Sequence, residues 1–160
     1  MHDTVHTLPK KTRAAMVELL QARLFDTIDA ITQAKHAHWN VKGPGFISLH
    51  ELFDKVAAQL AEHADEIAER LTTLGGTASG TARRVAKATT LPEYPAGIAS
   101  GRDHVKALAA VLAQLATAYR AAIDAADKHE DKVTADLFTG SAGELDKSVW
   151  MIEAHRQAKD

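Results

Sequence analysis

The sequence predicts an all-α fold: a bundle of four long helices with one long connection between the second and the third. Three observations carry the prediction. Apolar residues make up 46% of the chain and aromatic residues only 5%, with alanine abundant, a mix that suits helix-on-helix packing better than stacked sheets. Apolar positions recur three and four residues apart through four segments. Glycine and proline cluster between those segments, where helices stop. At 160 residues the chain is one domain with room for a substantial core.

The first helix is predicted from Pro9 to Asn40, with Thr7 as N-cap, Pro9 in the first turn, and an apolar row of Val17, Leu20, Leu24, Ile28 and Ile31. Residues 1–8 read as a flexible tail and 9–158 as the bundle. Gly43-Pro44-Gly45 breaks the chain. The second helix runs from Ile47 to Leu74 and stops at Gly75-Gly76, a C-terminal signal. Its row is Leu49, Phe53, Val56, Leu60, Ile67, Leu71 and Leu74. Thr77 to Ser100, with Pro92, Pro95 and Gly97, is long enough to cross the bundle and to hold a short helix. The third helix, Arg102 to Asp127, turns Val105, Leu108, Leu112, Leu115, Tyr119 and Ile123 inward. The fourth, Glu130 to Ala158, has Leu145, Val149 and Ile152 as its firmest row, and Gly140 and Gly143 weaken its middle. One long crossover at this place is the ferritin-like version of the four-helix bundle.

Composition also excludes. Cysteine is absent, so there is neither a disulfide framework nor a thiolate metal site. A formal net charge of −2 shows no bulk footprint for nucleic acid. No apolar run approaches the ~18 residues of a membrane span. The start, MHDTVHTLPKKTR, lacks an apolar signal core, so a cytoplasmic location is the expectation, with nucleoid association as its variant.

The second helix carries the chemistry. His50 and Asp54 are one turn apart, as are Asp65 and Glu69. At about 100° per residue they stand near 0°, 40°, 60° and 100°, one stripe rotated by roughly 150° from the apolar row. Imidazole and carboxylate suit iron, manganese or zinc. Yet Asp54 and Asp65 are roughly 16 Å apart along the axis, too far for one centre. Two antiparallel copies close the gap, because 50 and 69 sum to the same value as 54 and 65. One register sets His50 opposite Glu69 and Asp54 opposite Asp65, twice, about a two-fold axis, the commonest oligomer symmetry. Ala57, Ala58 and Ala61 lie between the half-sites and permit close approach. A His/Asp pair at this spacing is also that of a surface ion pair, and on spacing the two readings stand level.

His38-Trp39-Asn40-Val41-Lys42-Gly43-Pro44, followed by Leu49-His50, Phe53-Asp54, Asp65-Glu66 and Ala68-Glu69-Arg70, closely resembles the Dps family, the miniferritins named as DNA-binding proteins of starved cells. The resemblance extends from Lys10 to His155 and takes in Leu145-Asp146-Lys147 and Trp150. It implies a hollow dodecamer of four-helix subunits. It also implies a ferroxidase that binds iron, at most two per centre, between subunits, oxidises it preferentially with hydrogen peroxide and stores a ferric mineral. The matching ligands are His38, His50 and Asp54 of one subunit with Asp65 and Glu69 of another, and Trp39 is the aromatic neighbour. His38, across the Gly-Pro-Gly turn, comes from the resemblance and not from the register. The resemblance further implies acidic pores at three-fold axes, for which Asp127, Asp131 and Asp136 are the candidates among Asp124, Asp127, Glu130, Asp131 and Asp136. A solvated helix-end cluster is the simpler reading of those five.

Other features fit simpler roles. His63 lies on the core row and is expected to be buried, while His36 is expected to face solvent. His2 and His6 fall in the tail, and His104, His129 and His155 have no ligand-like partners in sequence. DNA binding is the main rival function, but the expected contacts are weak: Lys10, Lys11 and Arg13 at the start, Arg83, Arg84 and Lys87 in the crossover, Arg156 and Lys159 at the end. A di-iron oxidase bundle needs Glu-x-x-His, and no Glu here is followed by His at that spacing. A redox-silent zinc clasp at the dimer interface is the remaining alternative.

Overall fold

The computed structural model describes residues 1–157, so the predicted end at Ala158 and the cation Lys159 lie outside the described residues. Five helices follow in order: α1 Lys10–Asn40, α2 Phe46–Thr73, α3 Ala82–Ala88, α4 Gly101–Lys128 and α5 Lys132–Gln157. Helices α1 and α2 form one packed hairpin and α4 and α5 the other, with α1 against α4 and α2 against α5 closing the bundle. The crossover holds one short helix, α3, which packs on α1. Among the described residues no strand forms, and one isolated parallel bridge joins Lys42 to Ser100.

The core row of α2 is as the periodicity requires, with Leu49, Phe53, Val56, Leu60, Ile67, Leu71 and Leu74 all buried. Tyr119 of α4 and Phe138 of α5 meet at 5.2 Å between ring centroids in the centre. Thr27 spends its hydroxyl proton on Arg23 O, so the Tyr119 hydroxyl donates to Thr27 Oγ1 at 2.7 Å. That bond satisfies the polar tip of a ring with no exposure.

The α1 row departs from expectation. The buried line is Met16, Leu20, Leu24, Thr27, Ala30, Ala34 and Ala37, while Val17, Ile28 and Ile31 flank it. The flank is used by the crossover: a Cβ on Gly76 would stand 2.8 Å from Val17, and one on Gly80 would stand 2.9 Å from Ile28. Bulky residues therefore cover the connection, while alanines carry the close approach of the helices.

The first helix also begins differently. Pro9 itself occupies the N-cap, with no side-chain cap, in place of Thr7. The segment read as a tail meets the chain beyond α2 at two points: His2 N donates to Gly75 O at 2.7 Å and His2 Nε2 lies 3.0 Å from Thr77 Oγ1. Gly75, at φ +89°, permits this, since a Cβ there would lie 2.8 Å from His2 O. Arg13, expected as a free cation, is buried and donates to Leu8 O and Leu74 O, capping the end of α2.

Polar anchors hold the crossover. Asp26 has no exposure; its carboxylate takes Arg23 at 2.8 Å and the Thr90 N–H at 2.7 Å. Gln21 spans to Ser79 through both backbone groups, and Gln33 donates to Pro92 O at 3.0 Å. Removing one partner of a buried charged network leaves the rest uncompensated. Asp26→Ala is expected to lower the unfolding free energy by about 3 kcal/mol in urea denaturation, and Thr89→Ala by less than about 1 kcal/mol.

Candidate metal centre

The turn between α1 and α2 brings two histidines into contact. Gly43 and Gly45 hold φ of +97° and +75°, conformations that suit glycine. The chain thereby reverses within five residues. His38 Nδ1 then lies 2.7 Å from His50 O, and His50 Nδ1 lies 2.8 Å from His38 O. A carbonyl can only accept, so each Nδ1–H donates, and in each neutral ring Nε2 keeps the lone pair that a metal takes. The rings stack at 3.7 Å between centroids and 20° between planes, with Phe46 at 5.1 Å from the second ring. The Lys42–Ser100 bridge braces this turn from the far end of the crossover.

Asp54 is one helical turn beyond His50, exposed on the same stripe. Its Oδ1 accepts from Lys35 Nζ at 2.6 Å. That hydrogen bond, with the nearby positive charge of Lys35, holds the Asp54 carboxyl below its ordinary value. Lys35 was missed in the sequence, although it shares a face of α1 with His38 and Trp39 at i, i+3 and i+4. Trp39 is 67% exposed, with the Lys35 ammonium 6.0 Å from its ring centroid. Asp65 and Glu69 are exposed further along α2, roughly 16 Å from Asp54 to Asp65 by helical rise. The chain therefore brings His38 and His50 into contact, places Asp54 one helical turn further along α2, where it pairs with Lys35, and holds Asp65 and Glu69 further still. Among the described residues, no three His, Asp or Glu side chains of one chain converge on a position for an ion.

The acidic cluster at the α4–α5 turn divides by role. Asp131 is 2% exposed, and its charge is met inside the subunit. Its carboxylate takes the Arg70 guanidinium at 2.7 and 2.9 Å and caps α5 through Thr134 N at 3.1 Å. Burial acts to raise this carboxyl, but the Thr134 and Arg70 hydrogen bonds outweigh it and leave the value lowered. Asp127 is exposed and paired with Lys132 at 2.7 Å, and Asp136 is exposed beside it in a shallow depression. His63 is buried as expected, bonded through Nε2 to Glu144 at 2.8 Å. His36 is exposed. His104 is buried against the Tyr94 hydroxyl at 2.9 Å, and burial pushes its imidazole down. Arg83, Arg84 and Lys87 are exposed on α3. Nothing in the structure explains Gly140 and Gly143, beside which space is open.

The ferritin-like domain family matches residues 17–159. The DNA protection during starvation protein of Agrobacterium fabrum is 43% identical over 158 residues, covering 99% of this chain and 98% of the relative. The chain belongs to the Dps family. The Mycolicibacterium smegmatis protein of the same name is 34% identical over 155 residues, covering 97% of this chain and 84% of the relative. The solved Dps of Mycobacterium smegmatis superposes with a TM-score of 0.93 at 34% identity, over 99% of this chain and 90% of that one. DpsA14 from Streptomyces coelicolor gives 0.92 at 34% identity, over 97% of this chain and 92% of that one. Membership implies iron binding and protection from oxidative damage, and Dps proteins are generally ferroxidases.

Asp131→Ala is expected to lower stability by about 3 kcal/mol, since it leaves the Arg70 guanidinium, its side chain 10% exposed, without its carboxylate. Asp127→Ala and Asp136→Ala, both at exposed positions, should each change it by less than about 0.5 kcal/mol. The sign with pH follows from a lowered carboxyl. Its stabilisation is complete above about pH 4 and disappears as pH falls through the folded value. Urea denaturation should therefore show the gap between wild type and Asp131→Ala closing on acidification.

Proposed function

We propose that this chain is the subunit of a dodecameric iron-storage cage whose ferroxidase centres lie between subunits. His38, His50 and Asp54 of one subunit and the partner's Asp65 and Glu69 form each centre, two per antiparallel α2 pair. The observation that carries this reading is the reciprocal His38–His50 link. It spends each Nδ1 on a carbonyl and leaves each Nε2 free, one helical turn before Asp54, and a cluster serving only as a surface ion pair has no need of it. The register supports the second half. Antiparallel α2 helices set Asp65 and Glu69 against Asp54 and His50, and the exposed Ala58 and Ala61 leave room for the approach.

Iron is substrate and cargo here. Imidazole nitrogens and carboxylates suit Fe(II), and carboxylates favour the ferric product further. Hydrogen peroxide accepts one electron from each of two Fe(II) ions and, with two protons, leaves as two waters, so no hydroxyl radical is released. We read peroxide as the preferred oxidant and a ferric mineral inside the shell as the product. Asp127 and Asp136 are our candidates for the cation path, where negative potential would draw Fe(II) inward. Contact with DNA is read as weak, because Arg13 is buried in a helix cap, leaving Lys10 and Lys11 exposed nearby. No helix among the described residues is long and apolar enough to cross a membrane, and we assign the protein to the cytoplasm.

Anaerobic loading with Fe(II) followed by hydrogen peroxide tests the reading through ferric absorbance. Wild type should oxidise iron rapidly into a soluble product, and Asp65→Ala should slow the reaction by about tenfold or more. Equal slow rates in both proteins would overturn it and favour a redox-silent zinc clasp.

A further inference from the structure

Between α2 and α5, away from the histidine pair, lies a cleft whose polar groups are all acceptors. Glu62, His63 and Glu66 of α2 and Asp136, Gly140 and Glu144 of α5 line a space of about 220 Å3, and no lysine or arginine lines it. Among the described residues, Glu62, Glu66 and Asp136 have no ion-pair partner. Glu144 meets His63 Nε2 at 2.8 Å. An ionised carboxylate only accepts, so Nε2–H donates and the neutral ring keeps a lone pair on Nδ1. His63 is 3% exposed, and that buried Nδ1 has no partner. Ser141, also in the wall, spends its hydroxyl proton on Leu137 O and is left with lone pairs alone. Buried polar atoms are matched in folded proteins, and what this cleft lacks is a donor.

Helical spacing sets the shape of the missing donor. Asp136 and Glu144 are about 12 Å apart along α5. Gly140 stands midway, where a Cβ would meet nothing within 4 Å, and Leu137 lines the same stretch. Carboxylates therefore stand at both ends, with open, partly apolar space between them. A bare metal ion needs ligands that converge on one point, and among the described residues no three do so. An ammonium group carries three donors and no acceptor. We infer that the cleft binds an aliphatic polyamine, with one ammonium toward Glu144 and another toward Asp136. Its methylenes pass over Leu137 and Gly140, and Glu62 and Glu66 add charge from the α2 side. The site lies within one subunit and stands apart from the iron chemistry.

Spermidine is the probe, measured by equilibrium dialysis against the iron-free assembled protein at low ionic strength. Wild type should retain one spermidine per chain. Glu66→Gln keeps the shape and removes one charge, and should weaken binding by about fivefold, the order of one charge pair at contact in a water-like medium. Gly140→Leu keeps every charge and fills the open space, and should weaken binding by about tenfold or more. Leucine suits a helix better than glycine, so this variant folds and assembles. n-Butylamine, with one charge, should bind about tenfold or more weakly than spermidine, because it cannot engage both ends. Absence of retained spermidine would overturn the inference. Equal affinity in wild type and Gly140→Leu would also overturn it, leaving only unspecific attraction to surface carboxylates. Equal affinity for n-butylamine and spermidine would overturn the two-ended site.

Discussion

The rest of this structure depends on the rigidity of α2. A helix spaces its residues by about 1.5 Å along the axis, and it cannot bend to bring Asp54 and Asp65 to one ion. One face of α2 is fully committed to the core through Leu49, Phe53, Val56, Leu60, Ile67, Leu71 and Leu74. The opposite face carries ionisable groups that stay solvated in the single subunit, so folding bears no cost of buried, unpaired charge. In the proposed assembly, the same rigidity turns two incomplete half-sites into two complete ones under a two-fold operation.

The parts of the chain remote from α2 serve to hold its first turn. Asp26, Gln21 and Gln33 pin the crossover along α1, and the crossover ends with Ser100 bridged to Lys42. Gly101 sits so near Leu49 that a Cβ would stand 2.7 Å from it. The loop carrying His38 toward His50 is thereby closed from both sides. With each ring also tied to the other's carbonyl, the orientation of the nitrogens is set before any metal arrives. At the far end of α2, Arg70 and Asp131 join the α4–α5 turn to the helix that carries Asp65 and Glu69.

What was legible in the sequence follows the range of the forces involved. The α2 row and its polar stripe were legible because helical periodicity is local. The α1 row was not: its flank of Val17 and Ile28 meets a crossover whose path no periodicity encodes. The family motif supplied His38, but its exchange of hydrogen bonds with His50 depends on how the Gly-Pro-Gly turn folds. Asp131 read as one more acid in a cluster, since its partner Arg70 lies 61 positions away. Lys35 was overlooked because its face matters only once Asp54 is known to lie against it.

The claim that each centre is shared between subunits is tested most directly by complementation. Asp54→Ala and Asp65→Ala subunits, each inactive when assembled alone, are coexpressed, and peroxide-driven iron oxidation is measured in the mixed protein. A two-fold shared centre predicts that each mixed pair regains one intact centre of two, so random pairing restores about a quarter of wild-type activity. If Asp54 and Asp65 served the same centre within one subunit, no mixture would recover any activity, and that result would contradict the account.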